Sequence, residues 1–475
     1  MKSDLPLINH APSPMPIFFL VGSSAVLAWL FMDSPWLALA ILGVALLPLL
    51  TYWLTTDLDA TAIILIVAAA IPRISIEISG LKARPEHIAT VIVLFVLLGT
   101  AAFSSQHRFQ RPYWSLPDYL VATYVALNIF SSLFMSIAPG QTFKWSLQQT
   151  LAVLPYFLLR IVVNNSERFR KAIRNFLVVG AAVAGFGVFC FFSHLLFNTS
   201  LGVGVEQYGD IPGTYGTLYE PNLLGSFCGA MFILMLVIHS QKPNGNLLFG
   251  LLVAAAGMAV SLSRAALGAT VIASLAFAVI VRRMGLFNKR VMTKLAVSLT
   301  ILGLILASAL LPYYIQRFSS FTFEELTSDT DFQTRIIPIV LATENIAQHP
   351  LLGNGTSSSQ LFYTWAEAGF GEQELGFWIG NVEMRILHDT GAAGLAVFTG
   401  LLLILTVRSI RVVKRQLNGE LLALLVSALV YCVAFQTTEG TLLSFPWVHL
   451  GLIGCALSLD REASGKSEVN IGARR

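Results

Sequence analysis

Four ionisable residues stand at the edges of long apolar runs, where charge is expensive to place. Arg264 lies in Leu262-Ser263-Arg264-Ala265-Ala266, between two apolar stretches. Arg335 lies in Thr334-Arg335-Ile336-Ile337-Pro338. His388 lies in Glu383-Met384-Arg385-Ile386-Leu387-His388-Asp389-Thr390-Gly391, and Glu439 in a short loop before the last apolar run. Two guanidiniums can grip a diphosphate, because each presents paired planar donors to phosphate oxygens. A histidine can take a proton from an attacking hydroxyl near neutral pH. No metal-ligand spacing accompanies these residues, so the chemistry they suit is metal-free departure of a diphosphate. Each also has a plainer role. Arg264 could cap a helical hairpin, Arg335 could pair with Asp331, His388 could bond a backbone carbonyl, and Glu439 could be an ordinary loop acid. Arg160 reads as a residue snorkelling to the headgroups, and His194, His239 and His449 as core or interface residues.

The elements that must position these groups follow from composition. Of 475 residues, 55% are hydrophobic and 12% charged, about half the charge of a soluble chain, and the mean hydropathy is +0.72. A helix needs about 20 apolar residues to cross the hydrocarbon core. Fourteen candidate spans lie near 15–32, 35–53, 60–72, 86–103, 117–134, 145–163, 173–197, 220–239, 247–262, 265–281, 295–312, 387–407, 420–435 and 444–459. The third ends at Pro72 and is short enough to be re-entrant. The runs are continuous, which excludes a β-barrel, and so pervasive that they exclude disorder, a disulfide scaffold and a cytosolic enzyme. The expected fold is an all-α polytopic transmembrane bundle of 12–14 helices. The first run follows a polar leader without a cleavage pattern and reads as a retained helix. Cys190, Cys228, Cys432 and Cys455 all fall inside apolar runs and read as small buried hydrophobes.

Positive charge orients the bundle. Basic clusters at 168–174, 282–294 and 408–415 fall on one side when fourteen spans are counted. That side, with both termini, is expected to be cytoplasmic. The opposite face receives the 201–219 loop, Arg264, the long 313–386 segment and the Gln436–Leu443 loop. The long segment is acidic and is expected to hold short helices near Glu324–Leu326, Ile336–Gln348 and Thr364–Ala368, joined by the turn-rich Pro350–Ser359 stretch. The expected organisation is N-terminal helices over 1–200, a functional membrane core over 201–460 and a cytoplasmic tail over 461–475. No nucleotide-binding or hydrolase motif is present, and nothing points to nucleic acid. A diphosphate site on the outer face points to a lipid diphosphate rather than a nucleotide.

Four stretches in order carry a resemblance. They are Gly213-Thr214-Tyr215 through Glu220-Pro221-Asn222-Leu223-Leu224-Gly225, Leu262-Ser263-Arg264-Ala265-Ala266, Arg335 followed by Pro350-Leu351-Leu352-Gly353-Asn354-Gly355, and His388-Asp389-Thr390-Gly391-Ala392-Ala393-Gly394-Leu395. Together, over about residues 205–455, they resemble the O-antigen ligase and O-antigen polymerase family. The resemblance implies a GT-C-like membrane glycosyltransferase in the bacterial plasma membrane, its site facing the periplasm. It implies a glycan donor on undecaprenyl diphosphate, a glycan or lipid acceptor, surrounding membrane lipid, polysaccharide-assembly partners and no cofactor or metal. Carried over, Arg264 and Arg335 would bind the donor diphosphate and His388 would activate the acceptor. Glu220, Asn222, Glu383, Arg385 and Glu439 would line the substrate site. The chain departs from the family in placing Asp389, not asparagine, after the histidine, and in a helix count above about twelve. A carrier of small anions or a polysaccharide-export component is the competing class, but it should show midplane charges and internal pseudo-symmetry. A non-catalytic scaffold would need none of these residues.

Overall fold

Polar caps mark where the apolar runs become helices. Asp57 Oδ1 accepts from the N–H groups of Asp59 at 2.9 Å and Ala60 at 3.1 Å, opening α1 (Leu58–Ala69). Ser115 donates through its backbone N–H and its hydroxyl to Asp118, at 2.6 and 2.8 Å, at the start of α3 (Leu116–Phe134). Asn165 Oδ1 accepts from Arg168 N at 2.9 Å and starts α5 (Ser166–Phe197), which ends at Asn198 with a left-handed φ of 51°. Each such cap satisfies donors or acceptors that a helix end leaves open. The computed structural model describes residues 57–78, 81–103, 114–204, 212–283, 289–319, 330–362, 376, 378–416 and 418–472.

The remaining helices are α2 (Pro85–Phe103), α4 (Pro139–Val162), α6 (Pro221–Gln241), α7 (Gly245–Val260), α8 (Arg264–Arg283), α9 (Lys289–Ser319), α10 (Thr330–Ile346), α11 (Ser359–Phe362), α12 (Val382–Gln416), α13 (Gly419–Ala434) and α14 (Ser444–Gly472). From residue 57 onward, one helix falls on each expected span. The first two spans lie outside the described residues. So do two of the three short helices expected in the long segment; the third is α10, longer than expected. At 1.5 Å per residue α1 measures about 18 Å, short of a full crossing. Two small antiparallel hairpins complete the fold, β1 (Ile76–Ile78) with β2 (Leu81–Ala83), and β3 (Val203–Gly204) with β4 (Gly213–Thr214).

Helix α6 is the axis of the bundle. It is buried almost all round and packs on α5, α7, α8 and α13, as a helix that is apolar on every face must. Small residues let these helices close. A side chain at Gly225 would collide with Ser261, Ser263 and Ala266, and one at Gly257 with Ala184. Close approach of this kind gains dispersion where lipid offers no hydrophobic drive between helices. The outside is a belt of exposed large apolar side chains, among them Phe95, Phe189, Leu275, Leu304 and Leu403. Among the described residues five helices are long and apolar enough to cross a membrane, and four shorter helices are also apolar. The chain is an all-α, multi-pass membrane protein.

Two findings depart from the expectations. Arg160 does not snorkel. It is 6% exposed and ion-paired with Asp118, which also accepts from Tyr156 Oη at 3.0 Å. Cys432 is exposed, unlike the other three cysteines. The half-buried His194, tied to the Thr199 carbonyl, and the fully buried His449 sit as interface and core residues. Helix α4 packs along α14 and α3 along α12.

Candidate active site

The site grows from a break in one helix. Gly391 adopts φ 66° and ψ −169° inside α12, a conformation open essentially to glycine alone. The break detaches a short piece, 382–390, from the long span. The freed backbone meets the Pro350–Gly355 turn. Ala392 N donates to Pro350 O at 2.8 Å, Ala393 N to Leu351 O at 3.1 Å, Asn354 N to His388 O at 2.9 Å and Gly355 N to Asp389 O at 3.0 Å. Two of the four resembling stretches therefore form one backbone joint. Gly353, at φ 72°, completes it, because a side chain there would overlap the Asp389–Thr390 peptide.

His388 is sealed beneath this joint. It is 0% exposed, with the Phe362 ring edge-on at 5.8 Å. Its Nδ1 lies 3.2 Å from Asp389 Oδ1. Its Nε2 is buried and has no hydrogen-bond partner among the described residues. A carboxylate on Nδ1 holds the proton there and leaves a lone pair on Nε2. The other Asp389 oxygen, Oδ2, accepts from Ser357 N at 2.8 Å and Arg385 Nε at 3.2 Å. Ser131 Oγ on α3 donates to the Asp389 carbonyl at 2.7 Å.

Arg385, 3% exposed, is engaged on every side. Beyond Asp389, Nη1 meets Glu439 Oε2 at 2.6 Å and Thr441 Oγ1 at 3.2 Å, and Nη2 donates to Gln149 Oε1 at 3.3 Å. Glu439 in turn accepts from Thr441 N at 2.6 Å and from the Thr441 hydroxyl. A buried charge is tolerable only when paired and bonded in this way. Arg385 thus ties Asp389 of α12 to Glu439 of the last loop.

The Gln436–Leu443 loop joins this pair to the other candidates. Arg335 on α10 donates from Nη1 to Thr437 O at 2.8 Å and is only half-buried. The Thr438 hydroxyl bonds Glu220, the residue before α6. Burial pushes the Glu220 carboxyl up to about 7, with Glu439 adding to the rise and Arg335 opposing it. Asn222 Oδ1 accepts from Ser263 Oγ at 2.8 Å, and Ser263 Oγ in turn accepts from Ala266 N at 3.2 Å. That contact sets Arg264, the first residue of α8, beside the start of α6. Leu262 turns the chain there with φ 54°. Glu383 stands apart. It is exposed and accepts from Gln436 Nε2 at 2.7 Å.

Two arginines from the N-terminal third also reach this face, beyond what sequence reasoning found. Arg73 stacks 3.6 Å from the Tyr215 ring centroid and donates to Tyr219 O at 3.2 Å. Arg84 donates to Glu86 at 3.2 Å and to Leu442 O at 3.3 Å. The short third span carried the one usable signal, an arginine directly after Pro72. Among the described residues no group of three or more histidine, cysteine or acidic side chains could hold a metal ion.

A groove of about 450 Å³ runs along α8, α12, α13 and α14. Its walls are apolar, including Phe398, Leu405 and Trp447, and at one end it touches Val382, Glu383 and Thr441. Thr441 is the residue that bonds Arg385 and Glu439, so the apolar groove and the polar cluster meet there. No family model matches the chain, and no curated protein matches it in sequence.

Proposed function

We propose that the chain is a membrane glycosyltransferase, moving a glycan from a lipid diphosphate to an acceptor hydroxyl at the face that carries His388. The observation that carries this reading is the buried His388 Nε2, with no partner among the described residues and set by Asp389 on the other ring nitrogen. In the proposed step the acceptor oxygen attacks the sugar carbon and its proton passes to His388 Nε2. The bond from that carbon to the diphosphate breaks, and the diphosphate leaves with the electron pair. Arg335, with donors to spare, and Arg264 bind the leaving diphosphate. Arg385 and Glu439 keep Asp389 and the last loop in register. Because His388 is sealed, the 350–362 turn must open to admit the acceptor. The apolar groove that ends at Thr441 suits the donor's hydrocarbon chain. The order of motifs supports the same assignment, in a bacterial plasma membrane with the site facing outward.

The test incubates purified protein with lipid-diphosphate glycan and candidate acceptors, followed by glycan sizing. A ladder identifies a polymerase and a single extended acceptor a ligase. Positioned bases contribute about 10²–10⁴-fold, so His388→Gln should lose turnover by that order while still binding donor. Asp389→Asn should lower turnover, because the ring loses the carboxylate that fixes its proton. Wild-type turnover in His388→Gln removes the base assignment, and absence of any transfer returns the chain to the transporter class.

A further inference from the structure

The opposite face of the bundle holds a second polar pocket that the glycosyl-transfer reading does not use. It encloses about 360 Å³ and is lined by Arg408, Arg411 and Arg415 from α12 and by Ser458, Asp460 and Arg461 from α14, with Ser115 at the start of α3. The three α12 arginines recur at i, i+3 and i+7, so they share one helix face. The lining holds four guanidiniums and one carboxylate, and that carboxylate is ion-paired with Arg415. Among the described residues Arg408 and Arg411 make no hydrogen bond or ion pair. Arg408 is half-buried and Arg411 exposed.

The floor of the pocket is rigid and polar. Ser115 is fixed to Asp118, and Ser458 Oγ accepts from Arg160 Nη2 at 2.6 Å. The buried Asp118–Arg160 pair therefore lies directly behind the two hydroxyls. Orientation alone requires only that cations lie near the ends of spans. It gives no reason to turn Arg408 and Arg411, which have no partner among the described residues, toward one cavity, where they repel one another within a Debye length. An anion in the cavity removes that repulsion. Guanidiniums present paired donors that match phosphate oxygens. The pocket also lies where α3, α12 and α14 pass out of the apolar zone, the level of lipid headgroups. Basic pockets between spans bind anionic headgroups at that depth.

We infer that this pocket binds a phosphate group, carried either by an anionic membrane lipid or by a soluble phosphate compound. The full chain, purified and stripped of lipid in mild detergent, is titrated with phosphatidylglycerol, phosphatidylcholine or inorganic pyrophosphate. Binding is read by native mass spectrometry and by melting temperature. Charge-assisted hydrogen bonds contribute roughly 1.5–3 kcal/mol each, so losing one lowers affinity about 10- to 150-fold. Phosphatidylglycerol should be retained over phosphatidylcholine, and Arg408→Gln/Arg411→Gln should weaken it by at least about tenfold. Arg170→Gln/Arg174→Gln removes two exposed basic residues from the first turns of α5 and should leave retention unchanged. Retention of the lipid alone assigns a headgroup, whereas a melting shift with pyrophosphate that the Arg408/Arg411 variant lacks assigns a soluble ligand. Should the double variant fail to fold, the exposed Arg411→Gln single variant carries the same comparison. Equal loss in both double variants, or equal retention of the two lipids with no pyrophosphate shift, overturns the inference.

Discussion

Replacing Gly391 by alanine should break the joint over His388. Two costs add. An alanine at φ 66°, ψ −169° sits in a region that costs a side chain about 1–3 kcal/mol. Its methyl would also overlap the Leu351 carbonyl and the Leu352 nitrogen. Those are backbone atoms, so no side chain can swing aside. Relief requires the 350–352 strand of chain to retreat, which stretches the bonds from Ala392 N at 2.8 Å and Ala393 N at 3.1 Å. Two such bonds contribute about 1–3 kcal/mol net. The total is about 2–6 kcal/mol. The internal control is Gly400→Ala in the same helix, where a Cβ would meet nothing within 4 Å. There alanine should leave stability unchanged or raise it by up to about 1 kcal/mol. Both variants would be melted in detergent, and hydrogen exchange would be followed at the amides of Ala392, Ala393, Asn354 and Gly355. Gly391→Ala should melt earlier and lose protection at those four amides, with transfer falling in parallel. If it melts like Gly400→Ala and keeps the four amides protected, the joint does not hold the site together as argued.

Other perturbations test separate parts. Arg335→Lys keeps charge but loses the paired planar donors, and should lower turnover about 10- to 150-fold with little change in melting; full activity would leave Arg335 as a mere anchor of Thr437. Asp118→Ala strands the buried Arg160 guanidinium and should cost about 3–5 kcal/mol, largely recovered in Asp118→Leu/Arg160→Met; the melting temperatures of the three proteins check this. Glu220 has a folded pKa raised to about 7 from 4.5, so the folded state binds the proton more tightly than the unfolded chain. Its contribution to stability should therefore be full below about pH 4.5 and be lost as pH rises through 7, by about 3 kcal/mol in all. Glu220→Gln should flatten that slope in a pH series of melts, and an unchanged slope would remove the assignment.

Hydropathy made the spans legible because a membrane selects for the local average of twenty residues, and that average is written in one stretch of sequence. Nothing comparable records who sits behind a charged residue. Arg160 looks like any arginine near a span end until Asp118, 42 residues earlier, is found against it. Arg385 is likewise interpretable only with Gln149, 236 residues away, on a helix assigned to a different part of the chain. The polar residues inside apolar runs were the available signal. Asp118, Asn128 and Gln149 are costly there unless each has a partner, and each proves to face a polar group of another helix or turn.

The same limit explains His388. His388 stands at the start of the expected 387–407 span, and the structure buries it wholly. The Gly353–Ser359 turn bonds its backbone and Asp389, and the composition of that turn shows only that the chain bends. What the bend rests on depends on Asn128, Ser131 and Ser132 of α3, which bond Thr356 and Gly355. The N-terminal helices thus supply the floor on which the turn closes, although no resembling stretch lies in them. The stretch 205–455 holds the proposed site residues but not the helix that supports the 353–359 turn. Substitution of Ser132 should accordingly loosen that turn while the His388–Asp389 contact remains. Hydrogen exchange at the Thr356 amide reads this, since loss of the Ser132 hydroxyl removes the acceptor of that N–H at 3.0 Å, whereas the Gly355 N–H keeps the Asp389 carbonyl at 3.0 Å; an unchanged Thr356 amide would refute it.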